Sequence, residues 1–200
     1  MSSNHHKPEL SDVELVLACQ GGDRSAFDEL VKRHQGKVYA MIRNMVKNET
    51  DAWDLSQDAF IKAWSALPKF EARAKFSTWM FRIAHNTVYD WMRKRKIESA
   101  GEINDDLLGG SAIDFAAPTS PKKALRPDQS MQNEELGKRI EGALETLSPE
   151  HREVVLLKEV QGLAYKEIAE AVGCSIGTVM SRLFYARKKL QEELADEKPR

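Results

Sequence analysis

Only two cysteines, Cys19 and Cys174, occur in the 200 residues, and neither sits in a CxxC pair or at ligand spacing from a histidine. Neither a disulfide framework nor a zinc site is supported, and both thiols are expected in the core or on the surface. Long apolar runs are also missing. No window of about eighteen apolar residues exists, and residues 1–8, MSSNHHKP, lack the apolar stretch of a secretory signal. No membrane insertion is expected, and a cytoplasmic chain is. No P-loop, HExxH or GxSxG pattern appears, so catalysis and a cofactor are not expected. Aromatic residues make up 8% and apolar residues 42% of the chain. That balance favours helical bundles over a sheet-rich enzyme core.

The net charge of -1 does not by itself suggest nucleic acid, but the charge is blocked along the chain. Between Phe81 and Lys96 the basic residues are Arg82, Arg93, Lys94, Arg95 and Lys96 against the single acid Asp90. From Ser175 to Leu190 they are Arg182, Arg187, Lys188 and Lys189 with no acid. Two basic helices are expected, separated by an acidic stretch carrying Glu98, Glu102, Asp105, Asp106, Asp114 and Asp128.

Helix signals begin at Ser11, where Ser11 and Glu14 have capping-box spacing. A break at Gly21-Gly22 leads to a longer helix capped by Asp23, with Phe27, Leu30, Val31, Val38, Ile42 and Met45 at helical period. Thr50 is expected to cap a third helix with Trp53, Ala59, Phe60, Ala63, Trp64 and Leu67 as apolar positions, ended by Pro68. After a basic-aromatic loop, a fourth helix carries the stripe Phe76, Trp79, Met80, Ile83, Thr87 and Trp91. Residues 98–130 hold Gly109-Gly110, Pro118 and Pro121 without periodicity, which marks a flexible acidic linker. Beyond it lie a helix near 133–146, then Ser148-Pro149 as cap and first residue of another, ended by Gln161-Gly162. The expected fold is all-α: a tail (1–10), a helical domain (11–97), the linker (98–130), a second helical domain (131–195) and a short tail (196–200).

Leu163 to Leu190, LAYKEIAEAVGCSIGTVMSRLFYARKKL, has helix-turn-helix spacing. Ile168, Ala169 and Val172 form an inner face, Gly173 permits the turn, and Ser175 caps a second helix with Ile176, Val179, Leu183 and Leu190 inward. Thr178, Ser181, Arg182, Phe184, Tyr185 and Lys188 then lie outward, as short polar, guanidinium and aromatic groups suited to base edges and phosphates in a major groove. On the fourth helix, Thr78, Arg82, His85, Tyr89, Arg93 and Lys96 recur at three- and four-residue steps opposite the apolar stripe. Such a face offers cations for phosphates and rings for stacking on unpaired bases.

Taken together, GDRSAFDELVKRH (Gly22 to His34), AWDLSQDAFIKAW (Ala52 to Trp64), KFSTWMFRIAHNTVYDWMRK (Lys75 to Lys94), LSPEHREVVLLKEVQGLAYKEIAE (Leu147 to Glu170) and GTVMSRLFYARKKL (Gly177 to Leu190) resemble the extracytoplasmic-function group of the sigma-70 family in order and spacing. The resemblance implies a sigma-2 and a sigma-4 module that lend promoter recognition to RNA polymerase core. It assigns Asp54, Gln57, Asp58 and Phe60 to docking on the clamp helices of the largest subunit, with the second module meeting the flap. Phe70, Arg82 and Asn86 match a pocket that captures an extruded minus-ten base, with Thr78, Tyr89 and Arg93 on the same reading face. Tyr165, Lys166, Thr178, Met180, Ser181, Arg182, Phe184, Tyr185 and Lys188 match the minus-thirty-five surface. The chain departs from the family pattern at Glu71, Met180, Tyr185 and Lys166, so promoter sequence does not transfer from relatives. Double- and single-stranded promoter DNA and an anti-sigma factor are the implied partners. The linker, extended at about 3.3 Å per residue, spans roughly 100 Å. Two elements some twenty base pairs apart are separated by about 70 Å.

A LuxR-like regulator shares the helix-turn-helix signal. Its usual receiver or ligand domain is not matched by the first ninety-six residues, which read as helix without a βαβ pattern.

Overall fold

The computed structural model describes residues 10–101 and 127–195, and the side chains of 10–97 and 135–195. The terminal tails and nearly all of the expected linker lie outside the described residues; at its edges one helix continues to Gly101 and another starts at Pro127. Every regular element among the described residues is helical.

The first module comprises α1 (Asp12–Gln20), α2 (Arg24–Val46), α3 (Glu49–Ala66) and α4 (Phe76–Gly101). Ser11 and Glu14 form the expected capping box, the Ser11 amide donating to Glu14 Oε2 at 2.7 Å and the Glu14 amide to Ser11 Oγ at 3.3 Å. Gly22 turns the chain at φ +101°, a conformation open to glycine, and Asp23 caps α2 by accepting from the Ser25 amide at 2.9 Å. The cap of α3 is Asn48, which accepts from the Asp51 amide at 3.0 Å, and not Thr50. An amide side chain just after the left-handed Lys47 (φ 61°) reaches the free N–H groups first, so the helix begins earlier than expected. Pro68 ends it in a single 3-10 turn, Leu67–Lys69.

The second module comprises α5 (Pro127–Glu145), α6 (Pro149–Val155), α7 (Tyr165–Val172) and α8 (Ile176–Ala195). Ser148 and Pro149 start α6 as expected, and α6 runs into one π turn, Leu156–Val160, before Gly162 at φ +69° releases the chain. Leu30, Ile42, Met80, Leu157 and Ile168 are completely buried, each worth about 1.5–3 kcal/mol of burial.

The modules are packed together. Helix α4 lies along α7 and α2 contacts α6, so the buried residues of both form one cluster. Arg152 seals the junction: only 4% exposed, its guanidinium donates to the carbonyls of Leu144 (2.7 Å), Glu145 (3.0 Å) and Leu147 (3.1 Å) at the end of α5. It also donates to Asn44 of α2, at 2.9 Å. These acceptors belong to helix C-termini and their flanking turns, where carbonyls lack partners within the helix.

Candidate nucleic-acid interface

The helix-turn-helix forms as its residues dictate. The Glu167 carboxylate accepts from the Ala164 amide at 2.8 Å to start α7, Gly173 takes φ +68° in the turn, and Ser175 Oγ accepts from the Thr178 amide at 3.0 Å to start α8. Val179, Leu183 and Ala186 are buried, while Leu190 is half-buried. Ile176, expected inward, is 46% exposed because it occupies the first helical position, ahead of the packed stripe. Met180, Ser181, Phe184, Tyr185 and Lys188 face solvent, and Thr178 and Arg182 are half-buried. The Phe184 and Tyr185 rings meet edge to face at 5.4 Å. Tyr165 of α7 joins Met180, Leu183, Phe184, Arg187 and Lys188 around a shallow concavity of about 310 Å3. Lys166 is exposed nearby on α7. The exposed edge is therefore apolar and aromatic with cations at its border, suited to thymine methyls and phosphates more than to dense hydrogen-bond readout.

Helix α4 presents Arg82, Asn86 and Arg93 outward, followed by Lys94 and Lys96. Arg93 pairs with Asp90 at 2.5 Å. Three expected face residues differ. Thr78 is 2% exposed and its hydroxyl has no hydrogen-bond partner, and His85 and Tyr89 are half-buried. All three share one side of α4, from which His85 and Tyr89 reach the second module, which local periodicity cannot reveal. The preceding loop is braced, since Gln20 Nε2 donates to the carbonyls of Leu67 (3.0 Å) and Phe70 (2.8 Å). The half-buried Phe70 ring rests on Trp79 with centroids 4.6 Å apart. Glu71 is paired with Arg73 at 2.6 Å, so positive charge returns to this loop two residues later.

On α3, Asp54, Gln57 and Asp58 are exposed, but Phe60 is 8% exposed and belongs to the inner face with Leu55, Ala59 and Ala63. It cannot contact a partner without leaving the core. Two large apolar groups take its place outside. Trp53 (56% exposed) and Ile61 (63%) stand one helical turn either side of Gln57, forming one stripe with it. The outer face of α3 thus combines carboxylates with apolar anchors.

Residues 30–97 match the family model for sigma-70 region 2 and residues 137–190 that for sigma-70 region 4. The extracytoplasmic-function (ECF) RNA polymerase sigma-E factor of Haemophilus influenzae is 32% identical over 93% of this chain and 96% of its own. That of Escherichia coli K12 is 34% identical over 93% and 95%, and the RNA polymerase sigma-H factor of Pseudomonas aeruginosa 33% over 92% and 93%. The chain belongs to the ECF sigma factors. It is an RNA polymerase sigma factor that directs promoter-specific initiation, with region 2 in the first module and region 4 in the second. Among solved structures, CnrH in complex with the cytosolic domain of CnrY matches with TM-score 0.65 and 26% identity over 94% of this chain and 99% of that one. RpoE in complex with the anti-sigma factor NepR from Bartonella quintana matches with TM-score 0.67 and 27% identity over 86% and 98%.

One cluster of this sigma factor escaped the sequence reading. Glu153 of α6 is completely buried among Val154, Val155 and Leu157. Its Oε1 lies 2.7 Å from His85 Nδ1, and its Oε2 accepts from the Tyr89 hydroxyl at 3.3 Å, both on α4. Burial first, and then the charge of Glu153, push the Tyr89 phenol well above its ordinary range, so it stays a donor. Arg182 lies close enough to act electrostatically on Tyr89 and on Glu150, whose carboxyl is held below its usual value mainly by its own backbone amide. An isolated glutamate inside an apolar run was the only available signal. Among the described residues no helix is long and apolar enough to cross a membrane.

Proposed function

We propose that this sigma factor is a non-catalytic initiation subunit that divides its work among three helices. Helix α3 docks on the clamp helices of polymerase core through Asp54, Gln57 and Asp58. The loop at Phe70 and the α4 residues Arg82 and Asn86 hold an extruded minus-ten base, with Arg93 on the flanking backbone. Helix α8 reads the minus-thirty-five element through Thr178, Ser181, Arg182, Phe184 and Lys188, with Tyr165 and Lys166 of α7 at its edge and region 4 resting on the flap. The exposed stripe of Trp53, Gln57 and Ile61 beside Asp54 and Asp58 carries the reading. Carboxylates there set orientation and association rate, while a tryptophan anchor supplies affinity.

The likeness to sigma factors solved with anti-sigma partners extends the proposal to regulation. An anti-sigma factor is expected to cover the polymerase-binding faces of both modules. Affinity purification from unstressed cells checks this, with a small helical partner expected beside the polymerase subunits and polymerase alone counting against it.

The test of the main reading is selection from a genomic fragment pool by core with and without the chain. Enriched fragments should share a two-part element some twenty base pairs apart, and only when both proteins are present. Equal enrichment by the chain alone would favour a simple DNA-binding regulator.

A further inference from the structure

A pocket that chooses a base needs Phe70 in one place, yet the loop that carries this ring has no regular structure of its own. It runs over residues 70–75, between the 3-10 turn Leu67–Lys69 and the start of α4 at Phe76, and Glu71, Ala72 and Arg73 are exposed. Ala72 sits at φ 53°, in the left-handed region that a residue with a Cβ rarely adopts. Such a conformation persists only where the surrounding structure holds it.

The structure that holds the loop comes from α1. At the last residue of α1, Gln20 Nε2 donates to the carbonyls of Leu67 (3.0 Å) and Phe70 (2.8 Å), and the Leu67 carbonyl also accepts from the Phe70 amide at 3.0 Å. At its first residue, Asp12 Oδ2 lies 2.8 Å from Nε2 of the buried His34 on α2, whose ring meets that of Phe76 at 5.2 Å. Arg33 ties the same end of α1 to α2 by donating to the Leu10 carbonyl at 2.6 Å and to Asp12 Oδ1 at 3.3 Å. Phe76 in turn meets Phe70 edge to face at 6.3 Å, and both rings lie against Trp79, at 5.7 and 4.6 Å. One short helix thus reaches both ends of the loop, directly at its start and through His34 at its end. Gln20 itself is exposed and lies outside the buried core, so a purely structural role for its two hydrogen bonds would be small.

We propose that Gln20 is a positioning residue for minus-ten base selection, holding loop 70–75 with its left-handed Ala72 in the one shape that presents the Phe70 ring to an extruded base. It acts through the loop backbone and not on a nucleotide. Released from this brace, the loop relaxes at Ala72 and offers the ring from many directions. A pocket of variable shape then accepts a wrong base nearly as well as the right one. The inference deepens the base-capture reading proposed above and rests on it.

The test reads a ratio. Core with the full-length chain opens promoters that are taken from the enriched fragments and differ only at the captured minus-ten base. Permanganate reactivity of a neighbouring thymine gives the opening rate for the preferred base and for the best rejected one. A loss of folded or core-bound protein cancels between the two rates, so a merely structural role leaves their ratio unmoved. The wild-type chain should discriminate roughly tenfold, and Gln20→Ala should lower the ratio by about fivefold. Gln20→Glu, similar in size but an acceptor facing two acceptors, should do the same, whereas Gln20→Lys keeps a donor and should recover most of the ratio. Ala72→Gly alone should leave the ratio in place. Combined with Gln20→Ala it should restore about half of the loss or more, because glycine holds a positive φ without strain. A ratio unchanged in Gln20→Ala, or a loss that neither Gln20→Lys nor Ala72→Gly restores, would overturn the brace. Wild-type opening indifferent to that base, or unaffected by Phe70→Ala, would instead strike the base-capture reading, and the inference with it.

Discussion

Arg152 and Asn44 join the two modules, the Arg152 guanidinium donating to the Asn44 carbonyl at 2.9 Å while it also holds three carbonyls at and just beyond the end of α5. Arg152→Ala leaves all four acceptors without this donor in a buried site. It should cost about 3 kcal/mol or more, measured by urea unfolding with circular dichroism. Arg152→Lys should recover only part of the loss, since an ammonium cannot reproduce the planar fork.

Core binding depends on the outer face of α3. Asp58→Lys should slow association with purified core and make it less sensitive to salt, with helical content intact. Trp53→Ala should act mainly on dissociation and weaken binding by about 1–2 kcal/mol. Surface plasmon resonance on immobilised core separates the two effects, and unchanged rates for both variants would contradict the docking assignment.

The loop that carries Phe70 is positioned from a distance by Gln20, through its two carbonyl contacts. Gln20→Ala should reduce stability by only about 1 kcal/mol yet impair strand opening, because the ring loses its fixed approach to Trp79. Permanganate reactivity of minus-ten thymines, beside a thermal melt, measures both. Normal opening would show that the brace is structural alone.

Arg182 and Asn86 should fail at different steps. Arg182→Ala removes a guanidinium from the reading helix, at a typical cost of about 1–3 kcal/mol, so closed-complex formation should fall. Asn86→Ala leaves initial duplex binding intact and blocks opening, because the amide acts only once a base is out of the stack. A template mismatched across the minus-ten region should rescue Asn86→Ala in part and leave the Arg182→Ala defect in place. Filter binding and permanganate footprinting on both templates give the comparison; identical defects would contradict the division.

Most of the helices were legible because their signals are local. Ser11 with Glu14, Asp23, and Ser148 with Pro149 act within one turn, and Leu30, Val38, Ile42 and Met45 repeat with the helix. The misplaced residues are those whose surroundings are set at long range. Trp53 and Ile176 read as inward from apolarity alone, but one stands on an outer stripe and the other precedes the packed turn. Phe60 belongs to a matching motif, but its side chain is core. Thr78, His85 and Tyr89 sit at the right helical steps for an open basic face, but Thr78 is buried and His85 and Tyr89 close on Glu153 of α6, more than sixty residues away in the chain. Glu153 was invisible for the same reason: its partners His85 and Tyr89 arrive from the other module.

This chain confers promoter specificity on polymerase core. Run-off transcription with purified core, on fragments enriched by the assembled complex, tests it most directly. Defined transcripts should appear only when the full-length chain is added, and should be lost with Asp58→Lys at limiting core. Transcripts independent of the chain, or specific binding of those fragments by the chain with no transcript on adding core, would contradict it.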